Sequence, residues 1–91
     1  MAAPLLSGGS GRRRMADLAR RAALFARIGI LEGHAHSLRA AFGDEWTAEI
    51  DEVLRRVGAA KALLEAQGSL ADAEHSADAA SLLLASIGRA R

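Results

Sequence analysis

The sequence predicts an all-α protein of three helices, arranged as an antiparallel bundle or helical hairpin and belonging to an oligomer. Alanine and leucine dominate the composition, with 22 alanines among 91 residues, whereas β-branched and aromatic residues are scarce. Apolar residues recur at alternating spacings of three and four, which is the periodicity of amphipathic helices. The joints between these apolar segments are very short, and short joints favour antiparallel neighbours.

The first predicted helix covers about residues 15–42. Its main apolar stripe contains Leu24, Ile28, Leu31, Ala35, Leu38 and Phe42. A neighbouring stripe toward the N-terminus contains Leu18, Ala22 and Phe25. Gly29 and Gly33 are one turn apart, and such a pair lets another helix approach closely. Two glycines also weaken a helix, so a break here, giving four helices in all, stays open.

The second and third predicted helices cover about residues 45–67 and 70–87. The second stripe contains Trp46, Ile50, Val53, Val57, Ala60 and Leu64. The third stripe contains Leu70, Ala73, Ala77, Ala80, Leu84 and Ile87. Stripes of this kind are typical of helices that pack at shallow angles.

The joints carry residues that end and begin helices. Gly43 follows the first stripe, and Asp44 is a candidate N-cap of the second helix. Gly68 follows the second helix, and Ser69 is the candidate N-cap of the third, with Asp72 placed to complete a capping box.

The N-terminal segment differs in composition from the rest of the chain. Residues 1–14 are rich in Ala, Gly and Ser and end in three arginines, which predicts a flexible basic tail before a single helical domain at 15–91. In that case Met15 is the natural start and the location is cytoplasmic. Alternatively, residues 1–28 form a presequence for the mitochondrial or another organelle matrix. The segment lacks the apolar stretch of a secretory signal, and no run of the chain is apolar enough to span a bilayer.

Charge is unevenly distributed along the chain, although the net charge is only +1. Residues 1–43 carry a net +5, residues 44–68 a net −3 and residues 69–91 a net −1. This pattern suits a charge match within the chain or between subunits, and it also suits a nucleic-acid contact. The candidate phosphate-contacting residues are Arg12, Arg13, Arg14, Arg20, Arg21 and Arg27.

The residues typical of enzymes are missing from the sequence. The chain has no cysteine, which excludes disulfides, thiolate metal sites and a cysteine nucleophile. It contains neither a phosphate-binding loop nor a Ser/His/Asp or H-E-x-x-H pattern. His34 and His36 are two apart on one helix and do not face each other, and His75 lies elsewhere. We therefore expect no catalysis, no cofactor and no bound metal, while a metal held by a histidine across a subunit interface, with Glu32 or Glu74 beside it, stays open as an alternative.

The apolar core is expected to be thin, because alanine buries little area per turn. A partner would cover what the helices leave open, so we expect a subunit, adaptor or small regulator that associates with itself or with a larger helical protein. The candidate contact residues are Leu24, Ile28, Gly29, Leu31, Gly33, Leu38, Phe42 and Trp46.

The segment His36-Ser37-Leu38-Arg39-Ala40 resembles the H-x-L-K-G motif of histidine phosphotransfer domains and the H-E-L-R core of sensor-kinase dimerisation hairpins. The resemblance implies a helical domain in which His36 accepts a phosphoryl group. Arg39, in place of the motif's lysine, would stabilise the phosphate.

A longer pattern is similar to the small all-helical metal- and formaldehyde-responsive repressors of the copper-sensor (CsoR/RcnR) type. It comprises Glu32-Gly33, Val53-Leu54, Ala59-Ala60, Leu63 and His75. The resemblance implies an antiparallel helical oligomer that binds DNA through the arginines listed above. The cysteine ligand of that family is absent.

Overall fold

The computed structural model describes the backbone of residues 2–89 and the side chains of residues 12–89, and in that part of the chain it contains helices and no strand. The three helices are α1 (Ala2–Phe42), α2 (Thr47–Glu65) and α3 (Leu70–Arg89). They pack against one another: α2 and α3 share the most extensive contact, and α1 lies against both. The prediction of an all-α, three-helix fold is therefore confirmed.

The core is formed by the three predicted stripes. Its buried side chains are all apolar, and no polar or charged side chain is buried in the part of the chain whose side chains are described. The buried residues are Leu24, Ile28, Leu31, Ala35, Leu38, Ile50, Val53, Val57, Ala60, Leu70, Ala73, Ala77, Ala80, Leu84 and Ile87. Five of the alanines have no exposed surface, so they set short distances between the helices at Ala35, Ala60, Ala73, Ala77 and Ala80.

α1 is an unbroken helix of 41 residues, so the predicted alternative of a break between Gly29 and Gly33 is wrong. A long helix tolerates glycine because each added residue contributes a hydrogen bond to a helix already formed. α1 also begins at Ala2, well before the predicted start near residue 15. The flexibility of residues 1–14 and the separate domain at 15–91 stay predictions.

The helices differ in length, as the sequence predicts. α1 is about 60 Å long at about 1.5 Å per residue, whereas α2 and α3, with 19 and 20 residues, are each about 30 Å long. The molecule measures 64 × 22 × 16 Å, so its long dimension is the length of α1. α2 and α3 therefore cover only part of α1.

The joint between α1 and α2 differs from the prediction at its second half. Gly43 ends α1 in the left-handed region at φ 63°, and its N–H donates to the Arg39 carbonyl at 2.9 Å. The N-cap of α2 is Trp46, also left-handed at φ 82°, and no side chain caps the helix. Asp44 is not the cap because α2 begins at Thr47, and a cap must immediately precede the first helical residue. The Asp44 carbonyl instead accepts a hydrogen bond from Thr47 Oγ1 at 2.8 Å.

The joint between α2 and α3 is a Schellman motif. Gly68 N–H donates to the Leu63 carbonyl at 2.7 Å, and Gln67 N–H donates to the Leu64 carbonyl at 3.1 Å. Gln67, not Gly68, takes the left-handed conformation, at φ 54°. Space at Gly68 is tight, since a Cβ there would lie 3.1 Å from Leu63 Cδ2 and 3.3 Å from the Leu63 carbonyl oxygen. Ser69 is confirmed as the cap of α3, because its Oγ accepts the Asp72 N–H at 3.1 Å.

Candidate interaction surface

The apolar residues predicted to contact a partner lie mostly in the interior of the chain. Leu24, Ile28, Leu31 and Leu38 are buried in the core. Phe42 and Trp46 are partly buried and pack against that core. These side chains use their apolar surface to hold the three helices together. Of the predicted contact residues, Gly29 and Gly33 alone are exposed.

α1 carries a second apolar face on the side away from the core, which we call the outer face. Successive residues of an α-helix are about 100° apart around its axis, and on that basis the outer face occupies an arc of about 140°. It consists of Met15, Leu18, Ala19, Ala22, Phe25, Ala26, Gly29, Ile30 and Gly33. All nine residues are exposed, and none is charged or polar. A helix that is apolar on two sides is expected to have neighbours on two sides.

The large side chains of the outer face are among the most exposed apolar groups of the molecule. Ile30 is 72% exposed, Met15 68%, Leu18 55% and Phe25 51%. No other helix of the chain approaches the two glycines, since a Cβ added at Gly29 or Gly33 would meet no atom within 4 Å. Among the described residues, no helix packs closely on this glycine pair, so the surface above it is open to another molecule.

Arginines border the outer face on the side of α3 and are paired with acids there. Arg20 Nη2 lies 2.6 Å from Glu74 Oε1. Arg27 Nη1 lies 2.8 Å from Asp78 Oδ1, and its Nη2 donates to Ser81 Oγ at 2.8 Å. The basic first part of the chain is thus matched by acids of α3, which is the intramolecular alternative that the charge pattern left open.

Arg21 borders the outer face on the side of α2. Its Nε lies 2.9 Å from Asp17 Oδ2, and its Nη2 donates to the Gly68 carbonyl at 3.0 Å. It therefore joins α1 to the turn between α2 and α3. Nearer the other end of α1, Arg39 pairs with Asp51 of α2.

Two sets of charges at the ends of the outer face have no such partners. Arg12, Arg13 and Arg14 are exposed, and no acid of the described residues lies within ion-pair distance of them. Glu32 is half-buried at the opposite end, and it forms neither a hydrogen bond nor an ion pair with the described residues. The outer face is thus flanked by free positive charge at one end and by a free carboxylate at the other.

A groove of 300 Å³ adjoins the outer face where it meets α2. Leu18, Ala22 and Phe25 form its α1 side, and Leu64 forms its apolar α2 side. Leu64 is itself only partly buried. The groove extends the exposed apolar surface from α1 onto the end of α2, so a partner on the outer face would also contact α2.

The histidines are exposed and separate from one another. His34, His36 and His75 are all exposed, and no group of three or more metal-binding side chains occurs among the described residues. Arg39, the predicted partner of a phosphate on His36, pairs with Asp51 instead. A phosphoacceptor role for His36 stays a prediction.

The outer face was not identified from the sequence as a unit. Leu18, Ala22 and Phe25 were visible as a short second stripe, but Met15 and Ile30 were not assigned to it. The available signal is the absence of charge: every charged residue between positions 15 and 33 lies outside this arc. Periodicity alone could not tell which of two stripes faces the core.

No helix in the described part of the chain is both long and apolar enough to span a membrane.

Scans of protein-family models and searches of curated proteins and solved structures found no match to this chain.

Proposed function

We propose that this chain is a non-enzymatic helical subunit, acting as an adaptor or small regulator, that associates with a second copy of itself through the outer face of α1. The supporting observation is the outer face itself. Its nine residues are neighbours on one side of α1, all of them are exposed, and none is charged or polar. Contiguous exposed apolar patches of this kind mark interaction surfaces. We further propose that neighbouring helices within the subunit run antiparallel.

The ion pairs support the antiparallel arrangement. Near the end of α1, Arg39 pairs with Asp51, which lies near the start of α2. Much earlier in α1, Arg21 bonds to Gly68, which follows the end of α2. Earlier α1 positions thus contact later positions of the α2 segment, and this order supports an antiparallel arrangement of the two helices.

The thin core supports association. Alanine contributes five of the fifteen core side chains, and each buries far less area than a leucine. Burying a large side chain of the outer face would contribute about 1.5–3 kcal/mol, which is substantial against the stability expected of so small a domain. An association partner would therefore add stabilisation that the isolated subunit lacks.

The arginine pairing favours this proposal over DNA binding. Three of the six arginines predicted to contact phosphates, Arg20, Arg21 and Arg27, are held by partners within the chain. Binding phosphate with them would require those contacts to break. The repressor and phosphotransfer hypotheses stay predictions, which salt-dependent DNA binding and an acid-labile phosphoryl group on His36 would respectively support.

Light scattering over a concentration series tests the proposal with Phe25→Glu and the control Leu82→Glu. Leu82 is 69% exposed on α3, so both substitutions place the same charge at an exposed apolar position. We expect the wild type and Leu82→Glu to form the same oligomer. Phe25→Glu should raise its dissociation constant about 100-fold or more, because the carboxylate would be buried on association.

Circular dichroism should show equal helix content in all three proteins. A wild type that stays monomeric at every concentration would contradict self-association. A Phe25→Glu protein that associates as strongly as the control would remove the outer face from the interface.

A further inference from the structure

We infer that the second copy packs on the outer face in the antiparallel direction, about a two-fold axis that runs between the two α1 helices, perpendicular to them, at the level of Leu24; this inference rests on the proposed self-association. The outer face runs from Met15 to Gly33, and its midpoint along the helix lies at the level of Leu24, which is on the opposite side of α1. With the two-fold axis at that level, the outer face of one copy covers the outer face of the other over its full length. Any other centre leaves apolar residues of both copies uncovered.

Free charges favour this direction. Arg14 and Glu32 lie on one line along α1, because they are separated by five full turns at about 3.6 residues per turn. The antiparallel two-fold axis places the corresponding line of the second copy on the same side of the helix pair. That line runs in the opposite direction. Arg14 of each copy then lies beside Glu32 of the other, which forms two ion pairs from charges that have no partner among the described residues.

The parallel direction lacks this match. In a parallel pair the two-fold axis runs along the helices. The edge of the outer face that carries Arg14 then faces the other edge of that face in the second copy, at the same height. Arg12 lies on that opposite border, so cations of the two copies would face each other. Glu32 would face a part of α1 that contains Ile30 and His34.

Side-chain size gives a second and independent argument. At about 1.5 Å and 100° per residue, the antiparallel arrangement brings Met15 of one copy over Gly33 of the other and Leu18 over Gly29. The next large side chain, Ile30, lies over an alanine, Ala19. Large residues thus meet small ones along the face. In the parallel arrangement Met15 meets Met15 of the second copy and Gly33 meets Gly33, so bulk is crowded at one end of the face and a gap is left at the other.

The arrangement assigns a role to the glycine pair. Gly29 and Gly33 have open space above them in the subunit, since an added Cβ meets no atom within 4 Å. In the antiparallel pair that space receives Leu18 and Met15 of the second copy. The two Phe25 residues lie near the level of the axis and on the same side of the helix pair, so their rings are neighbours.

Disulfide cross-linking tests the direction, and the chain suits it because it contains no cysteine. The experiment mixes Met15→Cys with an affinity-tagged Gly33→Cys under mild oxidation, at a concentration where light scattering shows the oligomer. We expect the disulfide between the two variants to be the main product. Met15→Cys alone should give no dimer, because its two sulfurs would be about 27 Å apart along the helix pair.

The outcomes separate direction from association. A Met15→Cys homodimer would show a parallel pair and overturn the inference while leaving self-association in place. An oligomer that forms without any cross-link would also overturn the inference and leave self-association in place, since either the proposed face or the proposed position of the axis would be wrong. A protein that is monomeric throughout would contradict the proposed function itself. Leu82→Cys, exposed on α3, is the control for random collision and should stay unlinked.

Charge exchange tests the ion pairs separately. Arg14→Glu and Glu32→Arg should each raise the dissociation constant of the dimer about tenfold, because each breaks two ion pairs and places like charges together. The double variant R14E/E32R should recover most of the wild-type affinity. A double variant that is as weak as the two effects multiplied would show that these residues do not meet.

Discussion

The two apolar faces of α1 have similar residues and opposite environments. The inner face carries Leu24, Ile28 and Leu31, which α2 and α3 bury. The outer face carries Phe25 and Ile30, which remain exposed over the same length of helix. Both faces repeat at spacings of three and four, so an apolar stripe shows that a surface needs covering but not what covers it.

Charge distinguishes the two faces more clearly than hydrophobicity does. The arginines that lie between the two faces, beside α2 and α3, reach acids of those helices, as Arg20 reaches Glu74 and Arg39 reaches Asp51. Near the ends of the outer face, Arg14 and Glu32 have no partner among the described residues. Completed ion pairs thus accompany the contact within the chain, and unpaired charges flank the surface proposed for a second copy.

The largest expected effect comes from shortening the same side chain on each face. Ile28→Ala should lower the free energy of unfolding by about 2–4 kcal/mol, because Ile28 is only 2% exposed and its loss leaves a cavity. Ile30→Ala removes the same atoms from an exposed position. It should change the free energy of unfolding of the monomer by no more than about 0.5 kcal/mol. Urea denaturation at low protein concentration measures both values.

Equal losses of stability in the two variants would contradict the assignment of inner and outer faces. Repeating the denaturation at high protein concentration adds a second test. There, Ile30→Ala should lose stability relative to the wild type as association contributes to it.

An intermediate effect is expected from enlarging alanine. Ala35 has no exposed surface, so Ala35→Leu should destabilise the fold by about 1–3 kcal/mol through overpacking between helices. Ala26→Leu, on the outer face, should leave the unfolding of the monomer unchanged. Thermal unfolding followed by circular dichroism measures both, and a tolerated leucine at position 35 would indicate a loosely packed core.

The periodicity predicted the core better than it predicted the joints. All six residues of the third stripe, from Leu70 to Ile87, are buried as expected, because a spacing of three and four directly reports one side of a helix. The joints depend on backbone angles that periodicity does not report. Trp46 takes a left-handed conformation that tryptophan rarely adopts, while its ring packs on the core, and no local sequence signal indicates this.

The interaction surface shows a similar limit. The glycine pair was identified from the sequence, but the apolar residues assigned to the contact came from the inner stripe. Leu24 and Ile28 were the natural choice, since their stripe is the longer one. Distinguishing the stripes required the positions of α2 and α3, which are set by contacts between residues distant in the chain.

The smallest expected effect concerns the turn between α2 and α3. Gln67→Gly should raise the free energy of unfolding by about 0.5–1 kcal/mol, because Gln67 adopts φ 54°, where glycine has no steric penalty. Gly68→Ala should lower it, because the new Cβ would press on Leu63. Neither residue belongs to the outer face, although Gln67 lines a groove together with Leu18. Both variants should associate like the wild type, and altered association would show that the interface extends to this turn.

Hydroxyl-radical footprinting of the unmodified chain tests most directly whether the outer face is the association surface. Mass spectrometry would follow the labelling of Met15, Phe25 and Leu82 as the protein concentration is raised through the association. We predict that labelling of Met15 and Phe25 falls, because a second copy covers them, while labelling of Leu82 stays constant. If the mass of the particle doubles and Met15 and Phe25 remain as reactive as in the monomer, another surface forms the interface.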